Sequence, residues 1–159
     1  AIDKMDDNLG RAAIIENGSP LSSGGVASGE SQIRRWMLEN DLIEAIIALP
    51  VDLFYNTGIA TYIWVLSKNK RPERKGKIQL IDASSFSKKL RKALGDKKNE
   101  ISPEERTAIT KLYADFADKV AKAQDARIVV KDNVVVMVIA GVNGPDYSAI
   151  DTAIDGALA

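Results

Sequence analysis

The sequence predicts an α/β protein whose sheet combines parallel strands with a late antiparallel strand, flanked by helices. Two apolar runs, 11–16 and 42–49, are separated by a helical pattern over 30–40, which is the order that joins two parallel strands. The run 59–67 is apolar on both alternating faces, as expected of a central strand covered on both sides. The linker 50–58 is too short for a helical crossover, so this strand should run antiparallel to the one before it.

Local signals assign the remaining elements. Ser28, or alternatively Ser31, should cap the helix over 30–40. Ser102 at the N-cap, followed by Pro103 and Glu105, begins a helix that should run to about residue 116. The other predictions are an inner strand for 11–16, a helical turn over 2–5, a strand over 77–82, a short basic helix over 86–94, a hairpin over 127–140 and a terminal helix over 147–158. We divide the chain into a domain of residues 1–98 and a helical and β tail of residues 99–159.

Composition excludes several chemistries. The 159 residues include no Cys and no His. This excludes disulfides, zinc–thiolate sites, Ser-His-Asp catalysis and most transition-metal sites, so no metal is expected. The longest apolar run, 134–142, is far shorter than the roughly 20 residues that span a bilayer. A cytoplasmic protein without membrane contact is the expectation.

Charge is segregated along a chain whose net charge is zero. Residues 68–98 contain 12 basic and 3 acidic residues, whereas the segments on either side are acidic. This basic segment could contact phosphates, with Lys88, Lys89 and Arg91 as candidate contacts to a DNA backbone. The alternative is a solvated surface, which is favoured because Phe86 is the only aromatic residue in the segment.

Several polar and aromatic residues should meet at one edge of the sheet. Ligands of such sheets bind beyond the carboxyl ends of the parallel strands. Asn17 and Gly18 follow the first strand, Pro50 follows the second, and the loop 54–58 enters the antiparallel strand from the same side. Chain direction alone therefore places these groups around one rim.

Four blocks in order, 10–21, 29–36, 46–50 and 53–66, resemble the modification (M) subunit of type I restriction–modification enzymes. These are S-adenosylmethionine-dependent DNA adenine-N6 methyltransferases. The resemblance covers residues 2 to about 116, and the FYNTGI run within the last block is its most specific part. It implies the C-terminal half of a Rossmann-like methyltransferase sheet, with DNA and the specificity (S) and restriction (R) subunits as partners of the parent chain.

The resemblance also shows what this sequence lacks. The family's cofactor loop and its Asn-Pro-Pro-aromatic motif lie upstream of the matching blocks, and neither occurs here. We therefore assign no catalytic residue and expect the chain alone not to bind S-adenosylmethionine, the cofactor of the parent. The segment 117–159 has no counterpart in the resemblance. An alternative function is a non-catalytic DNA- or partner-binding module that uses residues 68–98.

The resemblance implies that the loop 54–58 belongs to the pocket for the target base. Such enzymes extrude the adenine and stack it against aromatic or apolar groups. Phe54 and Tyr55 are the candidates for packing against the base, while Asn56, Thr57 and Gly58 would shape the loop. The alternative is that Phe54 plugs the end of the sheet and Tyr55 is a surface aromatic.

Two further assignments concern the residues around this loop. Trp64 lies on the predicted central strand, where a large aromatic usually fills core volume and does not bind a ligand. Asn17 and Gly18 are expected to form a turn at the end of a strand, with cleft lining as the alternative.

Overall fold

The computed structural model describes residues 1–116, 128–131 and 134–137. The chain divides into two compact units, residues 1–114 and 115–159, and each is described by itself. The boundary predicted between residues 98 and 99 falls inside the first unit. No helix within the described ranges has the length and apolarity needed to cross a membrane.

The first unit is built on a mixed four-stranded sheet and a separate two-stranded hairpin. In chain order its elements are β1 (Arg11–Asn17), α1 (Ser19–Ser22), α2 (Gly29–Glu39), β2 (Ile43–Ala48), β3 (Thr61–Ser67), β4 (Gln79–Asp82), β5 (Lys88–Leu94), β6 (Lys97–Glu100) and α3 (Pro103–Ala114). Single 3₁₀ turns occupy Ile2–Lys4 and Pro72–Arg74. In the second unit, β7 (Ile128–Lys131) and β8 (Val134–Met137) form the predicted antiparallel hairpin. Its connecting residues and the predicted terminal helix lie outside the described residues.

The sheet has the strand order β1-β3-β2-β4. β3 is antiparallel to both of its neighbours and β4 is parallel to β2, which confirms the predicted central antiparallel strand. β1 and β2 run in the same direction, as predicted, but they do not form the direct parallel pair that the β-α-β order favours. The short β2–β3 connection lets β3 pair directly with β2, and β3 then separates β2 from β1.

β1 lies at the edge of the described sheet. Its paired neighbour there is β3, and its residues are exposed or half-buried. The prediction of an inner strand covered on both faces therefore does not hold within the part of the chain that the structure describes. An apolar run such as Ala12–Ile15 indicates a buried strand, but it does not indicate which other segment packs on that strand.

α2 begins as predicted and is nevertheless poorly covered. The Ser28 side-chain oxygen accepts a hydrogen bond from the Ser31 N–H at 3.2 Å, which caps the helix. Its apolar stripe stays open, with Ile33 61% and Trp36 49% exposed. The described part of the first unit therefore leaves this stripe largely uncovered.

α3 packs on the sheet through an apolar face and begins at the predicted cap. The Ser102 Oγ accepts from the Glu105 N–H at 3.3 Å, and the Glu105 carboxylate accepts from the Ser102 N–H at 2.7 Å. This reciprocal pair is the predicted capping box. Ile109 is buried against Ile47 of β2 and Ile81 of β4, so the cap fixes the start of a helix that covers one face of the sheet.

We expect Ser102→Ala to lower the free energy of unfolding by about 0.5–2 kcal/mol, because it leaves a first-turn N–H without its acceptor. Urea denaturation monitored by circular dichroism measures this loss. Ser85→Ala is the matched control, since Ser85 is exposed and should tolerate the change. Equal effects of the two substitutions would contradict the assignment of the cap.

The segment 86–94 does not form the predicted basic helix. It supplies β5, which pairs with β6 in an antiparallel hairpin around Gly95, a residue with φ of +62°. Lys, Leu, Arg and Ala favour a helix in isolation, and that local preference produced the wrong prediction. Tertiary contacts override it, because the hairpin turn is hydrogen-bonded to the loop between β2 and β3.

Candidate functional site

The carboxyl ends of β1, β2 and β4 lie along one edge of the sheet, because these three strands run in the same direction. Asn17, at the end of β1, pairs with Thr61 at the start of β3. A Cβ on Gly18 would lie 3.6 Å from the Tyr62 ring. The structure thus brings Asn17 and Gly18 to the rim where the loop 54–58 enters β3, while their role in lining a cleft stays a prediction.

The loop between β2 and β3 folds into a tight turn. Phe54 and Thr57 form an isolated antiparallel bridge, and the Thr57 hydroxyl accepts from the Ile59 N–H at 3.3 Å. Asp52 has φ of +59°, and a Cβ on Gly58 would lie 2.6 Å from an Asp52 carboxylate oxygen. A side chain at position 58 would therefore require the Asp52 carboxylate to shift.

The two aromatic residues of the loop differ in exposure. Phe54 is half-buried, and the Tyr55 side chain is 59% exposed. Asn56 and Gly58 are exposed and Thr57 is half-buried. The Tyr55 ring therefore has surface available for stacking. The structure does not decide between the two predicted roles of Phe54.

The β5–β6 hairpin is attached to this loop through backbone contacts. The Tyr55 carbonyl accepts from the Asp96 N–H at 3.0 Å, and the Asp52 carbonyl accepts from the Lys98 and Asn99 N–H groups at 2.9 and 3.1 Å. The Asn99 side-chain amide donates to the Val51 carbonyl at 3.0 Å. The loop conformation therefore depends on the hairpin.

Side chains reinforce the attachment. The Lys97 ammonium lies 5.8 Å from the centroid of the Tyr55 ring, within the range of a cation–π interaction. Lys98 Nζ lies 3.6 Å from an Asp52 carboxylate oxygen. Sequence reasoning missed this arrangement, although a Gly-Asp pair between two short segments is a known hairpin signal.

We expect Gly95→Ala to loosen the loop. A Cβ at Gly95 would lie 2.7 Å from the Tyr55 carbonyl oxygen, whereas Gly76, with φ of +69°, has no atom within 4 Å of its Cβ position. Gly76→Ala therefore carries only the left-handed backbone cost of about 1–2 kcal/mol. Gly95→Ala should lower the free energy of unfolding by more than this, which urea denaturation measures. It should also accelerate amide exchange at Asp96, which hydrogen exchange measures. Identical behaviour of the two variants would argue against a tight contact between hairpin and loop.

The predicted basic segment 68–98 divides into two parts with different environments. In the part before β4, three cations form ion pairs with the acidic N-terminal region. Lys68 pairs with Asp7 at 2.8 Å, Lys70 pairs with Asp41, and Arg74 lies 3.4 Å from Glu44. These three charges are neutralised within the fold, whereas Arg71, Lys75 and Lys77 of the same part are exposed.

In the hairpin part, the basic residues face solvent. Lys88, Lys89 and Arg91 are all exposed. Lys88 lies 3.9 Å from Glu104, at the limit of an ion pair. Among the described residues, no carboxylate lies within salt-bridge distance of Lys89 or Arg91. These candidates are therefore placed where a phosphate can reach them, and their contact with DNA stays a prediction.

A buried polar network, which sequence reasoning missed, joins three strands to α3. The Glu44 carboxylate accepts from Arg11 at 2.9 Å and from the Tyr113 hydroxyl, and it lies 3.4 Å from Arg74. Arg74 also donates to Gln79 at 3.0 Å. Burial raises the pKa of the Tyr113 hydroxyl, and its hydrogen bond to Glu44 adds to the rise. The network links the sheet to α3 and lies apart from the exposed loop.

An apolar groove of about 950 Å³ runs between α2 and the β1–β3 face of the sheet. Trp64 forms part of its floor and is only 6% exposed, within a core cluster that includes Leu66. The prediction that Trp64 is a core residue is confirmed. The groove is lined chiefly by Ile14, Ile33, Trp36, Met37, Trp64 and Leu66.

Comparison with known proteins identifies the family. The family model described as N-6 DNA Methylase matches residues 1–138, so the similarity continues beyond residue 116. In solved structures, a similar fold occurs in the methyltransferase subunit of the type I restriction–modification system from Streptococcus thermophilus. The TM-score is 0.59 at 29% identity, over 70% of this chain and 21% of that chain.

Curated relatives agree with this match. The MjaVIII methylase subunit of a type I restriction enzyme from Methanocaldococcus jannaschii is 39% identical over 108 residues, which is 68% of this chain and 18% of that protein. The HindI methylase subunit from Haemophilus influenzae is 42% identical over 72 residues, or 45% of this chain and 15% of that protein. This chain thus spans about a fifth or less of the length of these relatives. It belongs to the N-6 DNA methylase family, among the methylase subunits of type I restriction–modification enzymes.

Proposed function

We propose that this chain is part of a type I DNA adenine-N6 methyltransferase subunit and supplies the target-base side of its active site. One observation carries the proposal. The loop 54–58 lies at the rim shared by the carboxyl ends of β1, β2 and β4, with the Tyr55 ring exposed there. This is the edge at which α/β sheets bind their ligands.

The target adenine must leave the duplex before it can react, since the N6 amino group is paired inside the helix. An extruded base stacks on an aromatic face, and Tyr55 offers such a face while Phe54 supports it from the half-buried side. Asn56, Thr57 and Gly58 set the turn that presents the ring. In this proposal Asn17 and Gly18 line the neighbouring part of the cleft.

The residues present do not form a site for S-adenosylmethionine, which the family uses in the parent enzyme. Methyltransferase cofactors of this kind require a glycine-rich turn after a strand. In the described residues, β1 ends at Asn17 and is followed by Gly18 and Ser19, and β2 is followed by Leu49 and Pro50. We therefore derive no chemical step from this chain, and we propose that the rest of the parent subunit holds the cofactor.

Two open surfaces support an incomplete catalytic domain. Within the described sheet, the outer edge of β1 has no paired strand, and an unpaired edge readily accepts another strand. The apolar groove beside it leaves Ile33 and Trp36 largely exposed. A Rossmann-like sheet that continues past β1, with a helix in the groove, would cover both surfaces. In the parent complex, the S subunit would select the DNA sequence and the R subunit would cleave.

A non-catalytic DNA-binding module is the second candidate, and the exposed cations of the hairpin favour it. The two candidates differ in what an extended chain can do. A module binds DNA with or without upstream sequence, whereas a methyltransferase portion acquires activity only when the cofactor half is restored.

The decisive experiment extends the chain upstream along its own gene to include the Asn-Pro-Pro-aromatic motif. Titration calorimetry should detect S-adenosylmethionine binding to the extended chain and none to the 159 residues. With the S subunit, the extended chain should transfer tritiated methyl groups to adenine in DNA. Clear cofactor binding by the 159 residues, or an extended chain that binds the cofactor without methylating DNA, would contradict the proposal.

A further inference from the structure

We propose that the β5–β6 hairpin is a DNA-backbone-binding arm that docks the target-base loop onto the duplex. Its partner is the phosphate backbone beside the extruded base, which the exposed side chains of Lys89, Arg91 and Lys92 contact. This inference deepens the proposed function and rests on it for the identity of the loop. It confines DNA contact to one part of the predicted basic segment 68–98.

The first step is the location of unneutralised charge. Residues 88–98 include six basic residues and one acidic residue. Lys89, Arg91 and Lys92 are exposed, and none of them has a carboxylate within salt-bridge distance among the described residues. In the earlier part of the segment, ion pairs with the preceding acidic region neutralise three of the six basic residues, Lys68, Lys70 and Arg74. Lys89, Arg91 and Lys92 thus place three exposed cations without a carboxylate partner within four residues, a closer spacing than that of the exposed cations in the connector before β4.

The second step is shape. Lys89, Arg91 and Lys92 lie within four residues of β5, where the register of the hairpin shifts, and all three are exposed on this short segment of the ribbon. Long Lys and Arg side chains on a two-stranded ribbon can follow a phosphate backbone, and arginine contacts phosphate oxygens in bidentate fashion. Such contacts fix the position of a protein on the duplex without reading its sequence. Contacts of this kind suit the proposed function, in which a separate subunit, the S subunit, selects the DNA sequence.

The third step is the connection between the hairpin and the loop. The hairpin turn donates from Asp96 to the Tyr55 carbonyl, and β6 donates from Lys98 and Asn99 to the Asp52 carbonyl. Lys97 also lies over the Tyr55 ring. Because these bonds join two short segments directly, a phosphate that holds the hairpin also fixes the distance from the backbone to Tyr55.

The first test measures DNA binding by the 159-residue chain. Fluorescence anisotropy with a fluorescein-labelled duplex of arbitrary sequence should show binding at low salt that weakens as salt rises. The triple variant K89A/R91A/K92A should bind about tenfold or more weakly. It should also reduce the slope of log affinity against log salt by about 2 to 3, because up to three phosphate contacts are lost.

The matched control removes the same charge elsewhere. Arg71, Lys75 and Lys77 are exposed residues of the connector before β4, so R71A/K75A/K77A changes net charge equally. It should leave the salt slope close to that of the unaltered chain. No binding at low salt, equal effects of the two triple variants, or equal affinity for polyglutamate would overturn the proposal.

The second test asks whether bound DNA lies beside the loop. The chain contains no cysteine, so Asn56→Cys gives a single attachment point for an environment-sensitive fluorophore. Its emission should change when duplex DNA is added, and K89A/R91A/K92A should shift this change to about tenfold or more higher DNA concentration. Leu9→Cys, at a residue 87% exposed beyond the opposite end of β1, should report no change. An identical response from both labels would overturn the proposed placement.

These tests are independent of methyl transfer. If the extended chain fails to methylate DNA while K89A/R91A/K92A still weakens binding as predicted, the proposed function fails and the DNA-binding arm stands. If methylation succeeds and the hairpin variants bind DNA normally, only the arm is overturned.

Discussion

Replacing Glu44 with alanine should lower the free energy of unfolding by about 3–5 kcal/mol, the loss expected when one partner of a buried ion pair is removed. Glu44 is 4% exposed and accepts hydrogen bonds from Arg11 and Tyr113. Arg74, also 4% exposed, lies beside it. Without the carboxylate, the buried guanidinium loses the opposite charge that offsets its desolvation. Urea denaturation of the purified chain measures the change.

Two variants control this experiment. Glu39→Ala removes a carboxylate that pairs with Arg35, and both side chains of this pair are exposed. Exposed ion pairs contribute little to the free energy of unfolding. Glu44→Gln keeps a hydrogen-bond acceptor but removes the charge, so it should be destabilised less than Glu44→Ala. If Glu44→Ala and Glu39→Ala had equal effects, the network would not be a main contributor to stability.

The strands could be predicted because their patterns are local. Alternating and continuous apolar runs identify β1 to β4, and the short β2–β3 connection forces the chain to reverse direction. The order of strands could not be predicted in the same way. Nothing in the run 11–16 says that β3, and not β2, will occupy the neighbouring position, because that choice depends on which edge of β2 the returning chain reaches.

The site could be predicted only in part, for two physical reasons. Chain direction placed Asn17, Gly18 and the loop 54–58 on one rim. The hairpin was missed because its residues favour a helix in isolation, and its contacts with the loop are too distant in sequence for a local pattern to show. Glu44 was missed because a carboxylate within an apolar strand gives no sign of its partners Arg11 and Tyr113, which lie 33 and 69 positions away.

The exposure of Tyr55 leads to the second prediction of a large effect, a loss of methyl-transfer activity. In the upstream-extended methyltransferase, Tyr55→Ala should lower kcat/KM for methyl transfer by roughly 5- to 150-fold, since stacking a base on an aromatic ring contributes about 1–3 kcal/mol. Tyr55→Phe keeps the ring and should stay close to the unaltered enzyme. Ile59→Ala, at a neighbouring loop residue that is 54% exposed, should also have a small effect. Initial rates with a duplex that contains one target site measure all three.

A second readout separates stacking from folding of the loop. A duplex with 2-aminopurine at the target position becomes more fluorescent when that base leaves the helix, and stacking on Tyr55 should quench part of the signal. Tyr55→Ala should therefore give brighter emission at equal DNA occupancy, and Tyr55→Phe should not. If Tyr55→Ala and Ile59→Ala reduced methylation equally and left the emission unchanged, Tyr55 would be a surface aromatic, and the base would have to stack elsewhere along this rim.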